Sequence, residues 1–203
     1  RKVELRRKLK LPEQGRLLIF TGRLVSYKGL PVLIRVWDDL HRRYPDVNLV
    51  IVGAGGVDVY NCEDEIKRFV AERHLEGRVI FTGAVSNVQE YLQASDVFAF
   101  PTENEAFGIS LIEAMACGLP VISTSIGGIK DIIAPDQNGL MMTAGDQAQL
   151  QAAIVRLLDD PSLCARLGRA ALETVQTRYT REIVAAAYLK VFQQAMTLSL
   201  NTK

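Results

Sequence analysis

Leu49-Val50-Ile51-Val52-Gly53-Ala54-Gly55-Gly56 sets four consecutive apolar residues, three of them β-branched, directly before a glycine-rich turn. A strand with one wet face alternates apolar and polar side chains. An unbroken run therefore marks a strand covered on both sides, the condition of a parallel sheet between helices. Working outward from Val47–Val52, similar runs occur at Arg16–Thr21, Arg78–Thr82, Val97–Phe100, Pro120–Ser123 and Gly139–Met142. Helical stretches separate them: Leu30 to about Arg43, Glu63–Arg73, Val88–Gln93, Phe107–Ala116 and Ile129–Ile133. Pro31 fits the first turn of its helix, where its missing N–H would be unpaired anyway. Strands alternating with helices predict an α/β domain, a Rossmann-like doubly wound parallel sheet. After residue 145 the helices follow one another (Asp146–Leu158, Ser162–Arg178, Arg181–Leu198), which predicts a C-terminal helical extension. The last carries Ile183, Ala187, Val191 and Ala195 at helical spacing.

With 203 residues the chain has room for one domain. Residues 1–15 read as a linker or N-terminal extension, 16–180 as the sheet domain, and 181–203 as a helix packing on it or toward a further domain. Net charge is +1, so no global field favours nucleic acid or a membrane. The first ten residues hold six basic residues and one acid, which leaves 18 basic against 22 acidic residues after them, a net of −4. The longest apolar run, Leu49 to Val57, is nine residues with three glycines, too short to span a bilayer. Cys62, Cys117 and Cys164 are odd in number and widely spaced, against a disulfide framework or a zinc site and in keeping with a reducing cytoplasm.

Ligands of doubly wound sheets lie beyond the carboxyl ends of the strands, so the loops after Thr21, Val52, Thr82, Phe100 and Ser123 are the ones to read. The first is Gly22-Arg23-Leu24-Val25-Ser26-Tyr27-Lys28-Gly29. A guanidinium fork and a compact ammonium five residues apart suit a diphosphate, although on this stretch alone two solvated cations are the plainer reading. The loop after Phe100 runs through Glu105-Ala106-Phe107-Gly108-Ile109-Ser110-Leu111-Ile112-Glu113. Gly108 opens a helix whose first N–H groups, to Leu111, can approach an anion at the positive helix end. Glu113 shares a face with Ile109, Ser110, Ala116 and Cys117, a face expected to be closed to solvent. A carboxylate there needs partners, either two vicinal hydroxyls such as those of a ribose or an internal cation. Glu105 faces the crevice, placed to hold a second sugar or to cap the helix.

Val52-Gly53-Ala54-Gly55-Gly56-Val57-Asp58 lacks the third glycine of a dinucleotide fingerprint and follows the second strand, so it reads as a tight loop that lets a ligand come close. Ile126-Gly127-Gly128-Ile129 is more plainly a turn than an anion site. His41 and His74 stand alone as solvated residues. Zinc-protease, serine-hydrolase, Walker and Asp-x-Asp motifs are absent from the sequence, which removes the corresponding chemistries. Neither metal nor cofactor is expected: Arg23, Lys28 and the helix end supply the positive charge.

Gly22-Arg23 with Lys28-Gly29, followed by Glu105-Ala106-Phe107-Gly108 and Glu113-Ala114-Met115-Ala116-Cys117-Gly118-Leu119-Pro120, resembles the donor-binding half of the retaining glycosyltransferases of family four, which have the GT-B fold. The seven-residue gap between Glu105 and Glu113 is that family's hallmark. The resemblance implies a nucleotide-sugar donor, with a UDP-sugar the expectation. Arg23, Lys28 and the Gly108–Leu111 backbone would hold its diphosphate and Glu113 its ribose, with Glu105 on the sugar as the catalytic residue and the surroundings of Val85 around the base. It further implies metal-independent transfer of a hexosyl group and an amino-terminal acceptor domain of similar size. The full enzyme would be cytoplasmic or peripheral to a membrane, and this chain alone inactive. Asp131 stands where the family usually has Glu. A GT-B nucleotide-sugar epimerase and a non-catalytic nucleotide-sugar sensor remain alternatives, whereas the broken glycine fingerprint speaks against a nicotinamide oxidoreductase.

Overall fold

In the computed structural model, which describes residues 1–201, six strands form one parallel sheet. They are β1 (Arg16–Thr21), β2 (Val47–Val52), β3 (Val79–Gly83), β4 (Val97–Phe100), β5 (Val121–Thr124) and β6 (Leu140–Met142). Their order in space is β3-β2-β1-β4-β5-β6. The winding therefore reverses between β1 and β4, and this is where a doubly wound sheet opens a crevice. Leu17–Phe20 and Leu49–Ile51 are 0% exposed, as a sheet covered on both faces requires. The expected strands are all present, shifted by at most one residue at an end.

The helices are α1 (Lys2–Lys8), α2 (Leu30–Leu40), α3 (Glu63–Glu72), α4 (Val88–Ala94), α5 (Ile109–Ala116), α6 (Ile129–Ile132), α7 (Gln147–Asp159), α8 (Pro161–Arg178) and α9 (Arg181–Asn201). α7 packs on α2, and α8 packs on α5. Both bury a leucine-rich face, with Leu150, Ile154 and Leu157 on α7 and Leu163 and Leu167 on α8. They are thus layers of the domain and not an appendage. Asp160 starts α8 by accepting the N–H groups of Ser162 and Leu163, both at 2.9 Å. The expected C-terminal extension is α9 alone. Its described side chains, Arg181 to Met196, are all exposed, Tyr188, Leu189, Val191 and Phe192 among them. Residues 202 and 203 of that segment lie outside the described residues.

The reading of residues 1–15 as a linker misses α1. This helix docks on α4 through Arg6, 4% exposed, which donates to Ala94 O at 2.9 Å, Gly15 O at 2.8 Å and Asp96 Oδ2 at 2.6 Å. Asp96 Oδ2 also accepts the Leu17 N–H at 2.7 Å, and Asp96 Oδ1 takes Lys2 Nζ at 2.7 Å. Two of the six basic residues that open the chain, Lys2 and Arg6, therefore form a clamp across the amino-terminal edge of the sheet.

Candidate functional site

Beyond the opposite edge, the loops after β1, β2, β3 and the helix α5 enclose a cavity of about 370 Å³. Its floor is backbone. Gly22 N–H donates to Val52 O at 3.0 Å and Leu24 N–H to Ala54 O at 3.1 Å, stacking the first two loops. A Cβ on Gly53, whose φ is 137°, would lie 1.9 Å from Gly22 O, so no side chain fits at that crossing. Thr21 lines the cavity as well; it is 3% exposed, and its hydroxyl has no hydrogen-bond partner.

Of the residues singled out in the sequence, Gly22, Arg23, Val85, Ser110 and Glu113 line this cavity. Lys28 and Glu105 are not among the lining residues; Lys28 is on a 3-10 turn, Ser26–Lys28, which Gly29 ends with φ of 77°. A Cβ on Gly29 would lie 1.8 Å from Pro101 O; glycine here lets the Lys28 turn seat directly against the loop after β4. Tyr27 O accepts from Glu103 N at 2.7 Å and Thr102 Oγ1 at 3.1 Å, which completes the seam. Lys28 Nζ consequently reaches Glu105 Oε2 at 2.9 Å and Asn104 O at 3.1 Å.

Glu105 also caps α5: its Oε1 accepts the N–H groups of Phe107 at 3.2 Å and Gly108 at 3.1 Å. Burial pushes its carboxyl up, but the Lys28 bond and charge, with the two N–H groups, outweigh this and hold it below the ordinary glutamate value. The helix begins at Ile109, two residues later than expected, with Gly108 in the left-handed region at φ of 103°. The Gly108 N–H, expected to face an anion, is thus committed to Glu105. The N–H groups of Ile109, Ser110 and Leu111 precede the first intrahelical bond, from Ile112 N–H to Gly108 O at 3.0 Å. The Leu111 side chain is buried in the core. Phe107 and Ile109 are exposed, and Phe107 meets Tyr179 edge-on at 6.1 Å. The Gly127-Gly128 turn is a brace, Gly128 N–H donating to Ala106 O at 3.0 Å.

Glu113 differs from expectation in one respect. Its face of α5 is only partly closed: Ser110 and Cys117 are half-buried, but Ile109 and Ala116 are exposed, and Glu113 itself is exposed on the cavity wall. The carboxylate keeps water and makes no hydrogen bond or ion pair, so the need for an internal partner does not arise. Partial burial still pushes its carboxyl above the ordinary glutamate value.

Sequence reasoning overlooked Asp58 and Tyr27. Arg23 Nη1 donates to Asp58 Oδ2 and Nη2 to Tyr27 Oη, both at 2.6 Å. The discounted Gly53–Asp58 stretch was the available signal, because it supplies both the floor and this carboxylate. A larger cavity of about 600 Å³ lies between α6 and α8. Its central amide, Asn138, is spent on Ile132 O at 3.0 Å, Thr174 Oγ1 at 2.9 Å and Ala134 N–H at 2.8 Å.

Residues 1–174 match the family model described as glycosyl transferases group 1. Among curated proteins the chain is similar to N-acetyl-alpha-D-glucosaminyl L-malate synthase of Bacillus anthracis, 29% identical over 201 residues, covering 99% of this chain and 51% of that protein. Among solved structures, sucrose-phosphate synthase of Thermosynechococcus elongatus superposes with a TM-score of 0.86 at 30% identity, covering 96% of this chain and 49% of that one. Anabaena HepE, solved with UDP, superposes with a TM-score of 0.82 at 26% identity, covering 98% of this chain and 52% of that one. HepE has also been solved with UDP-glucose. The chain thus spans about half the length of the relatives it matches.

Proposed function

Because the chain belongs to the glycosyl transferases group 1 family and has the Rossmann-like fold of GT-B enzymes, we propose that it is the donor-binding half of a retaining, metal-independent hexosyltransferase that uses a UDP-sugar. The observation that carries this reading is the composition of one cavity edge. Arg23 and the amino end of a helix, at Ser110, line it, and an unpartnered carboxylate, Glu113, stands one turn along that helix, while Lys28 follows in the loop that carries Arg23.

In this reading Arg23, Lys28 and the N–H groups of Ile109 to Leu111 gather around the diphosphate. They stabilise the charge that builds on it as the glycosidic bond breaks, the electrostatic work that is usually the largest catalytic contribution. Glu113 accepts the two ribose hydroxyls, and Val85 with Val88 flanks the base. Glu105, tied to Lys28 and to the start of α5, is placed to meet the donor sugar. The complexes of HepE with UDP and UDP-glucose support a uridine nucleotide. The acceptor would enter from a second domain, toward which the exposed apolar side chains of α9 would turn. Without it the chain binds donor but does not transfer, because positioning donor against acceptor supplies much of the rate.

The test is calorimetric titration of the chain with UDP, GDP, ADP and NAD in the presence of EDTA. Selective binding of UDP with chelator present is the expected result. Preference for NAD, or a strict requirement for added divalent cation, would overturn the reading.

A further inference from the structure

The two cations assigned to the diphosphate already hold carboxylates, and they hold them differently. Lys28 and Glu105 are both mostly buried, at 14% and 16% side-chain exposure, and Glu105 is fixed to the helix besides. Arg23 is 60% exposed, although its partner Asp58, on an arm between Gly55 and Asn61, is only 18% exposed; the two pairs differ in the cation.

The arm is fastened at its ends. Gly55 N–H donates to Glu63 Oε2 at 2.8 Å, Asn61 Nδ2 to Gly56 O at 2.8 Å, and Ser26 N–H to Tyr60 O at 2.9 Å. Its tip is not packed: Val57 and Val59 are 106% and 91% exposed. The arm meets the body of the domain through the Asp58–Arg23 pair and through Tyr60, whose ring packs edge-on against Tyr27 at 5.4 Å. Asp58 is nonetheless aimed, since its Oδ1 accepts the Tyr60 N–H at 3.0 Å while Oδ2 faces the guanidinium.

A guanidinium grips paired phosphate oxygens with two parallel N–H groups. Both terminal nitrogens of Arg23 are engaged, Nη1 by Asp58 and Nη2 by Tyr27. A diphosphate arriving at Nη1 would face the Asp58 carboxylate across a single cation, a like-charge contact that is relieved if the Asp58 side chain turns away from Arg23. We propose that Asp58 is the resident counter-ion of Arg23, exchanged for the diphosphate when nucleotide binds and restored when it leaves. This deepens the donor-site reading and rests on Arg23 being a diphosphate ligand. The consequence is a nucleoside diphosphate held less tightly than a bare arginine would hold it, which favours release of the spent nucleotide.

The experiment is titration of UDP and of uridine into the unaltered chain, Asp58→Asn, Arg23→Ala and the double variant. Asparagine keeps an oxygen for the Tyr60 N–H, and thermal unfolding checks that the fold is intact. Asp58→Asn should bind UDP roughly two- to five-fold more tightly, the size expected when an ion pair with a solvent-exposed guanidinium no longer competes. Uridine affinity should not change, and the gain should vanish in the Arg23→Ala background. UDP binding that is unchanged or weaker in Asp58→Asn, with Arg23→Ala still impaired, would overturn this proposal alone. An equal gain in the Arg23→Ala background would trace the effect to overall charge and overturn it too. UDP binding insensitive to Arg23→Ala, or no UDP binding at all, would remove both the donor-site assignment of Arg23 and the exchange built on it.

Discussion

Arg6 and Arg23 stand at opposite edges of the same sheet. Arg6, at the amino-terminal edge, is 4% exposed and donates to Ala94 O, Gly15 O and Asp96. Arg23, at the carboxyl-terminal edge, is 60% exposed and is held by one carboxylate and one phenol. The first set is closed: burying a guanidinium is tolerable only if its N–H groups find fixed acceptors, and these acceptors belong to the backbone and to a carboxylate that is itself anchored. The second is open on the side of the guanidinium, which has solvent within reach. Charge at the amino edge fastens α1 to the domain, whereas charge at the carboxyl edge stays available for exchange. The difference lies in the partners, since the residue is the same.

The most severe way to break this contrast is Arg6→Ala. Removing the buried guanidinium takes the donor from Ala94 O and Gly15 O and one of two cations from Asp96, and about 3 kcal/mol of stability should be lost in urea unfolding. Nucleotide affinity of the folded variant should stay as it was. A loss below about 1 kcal/mol would mean that α1 is held by its apolar contacts and not by the clamp.

Glu113→Gln probes the other edge and should do the reverse. It should cost about 1–3 kcal/mol of affinity for both UDP and uridine, because the ribose is common to them, with stability unharmed. The pH dependence sharpens this. The folded-state pKa of Glu113 is raised by burial, so ionising it costs stability above that pKa, and the cost disappears as pH falls through it. Ribose hydroxyls donate to the ionised form, so UDP affinity should weaken over the same fall in pH, starting above the ordinary glutamate range. In Glu113→Gln that limb should be flat; an unchanged limb would assign the titration to another group.

Asp46→Asn gives the smallest effect. Asp46 and Arg16 sit at the amino edge, yet at 49% and 34% side-chain exposure their pair resembles Arg23–Asp58 more than Arg6–Asp96. The depressed Asp46 carboxyl, held down by its hydrogen bond to Arg16, contributes stability above the unfolded pKa that is lost as pH falls through the folded one. The change should be under about 1 kcal/mol in thermal unfolding. A loss as large as that of Arg6→Ala would show that position in the sheet, and not solvent access, decides what a charge contributes.

The sheet was legible because burial on both faces imposes continuous apolar runs, and Leu17–Phe20 and Leu49–Val52 carry no other interpretation as strongly. α1 was hidden because its signal is Arg6, a residue that reads as solvent-loving until Asp96, ninety positions later, is placed beside it. The candidate site was legible where its parts lie close in sequence: Arg23 with Lys28, and Glu105 just before α5 with Glu113 one turn into it. Glu113 was read as facing inward because helical spacing groups it with Ile109 and Cys117; spacing defines a face but not what covers it. Asp58 escaped for a similar reason. Thirty-five residues separate it from Arg23, and the stacking of the first two loops that joins them depends on Gly53 meeting Gly22. Whatever depends on contact between loops was out of reach.

The strand order β3-β2-β1-β4-β5-β6 divides the sheet into two contiguous blocks. Arg23 and Lys28 hang from the first, while Glu105 and Glu113 hang from the second, and the turn at Ser95 is the crossing between them. A chain cut at that turn would leave each fragment with half of the candidate site's charged groups and an exposed strand, β1 or β4, waiting for its neighbour. A nucleotide touching Arg23 and Glu113 together would act as a weld, binding the rejoined halves in preference to either piece. Reassembly of the fragments would then report nucleotide concentration, a two-part sensor implied by the winding of the sheet.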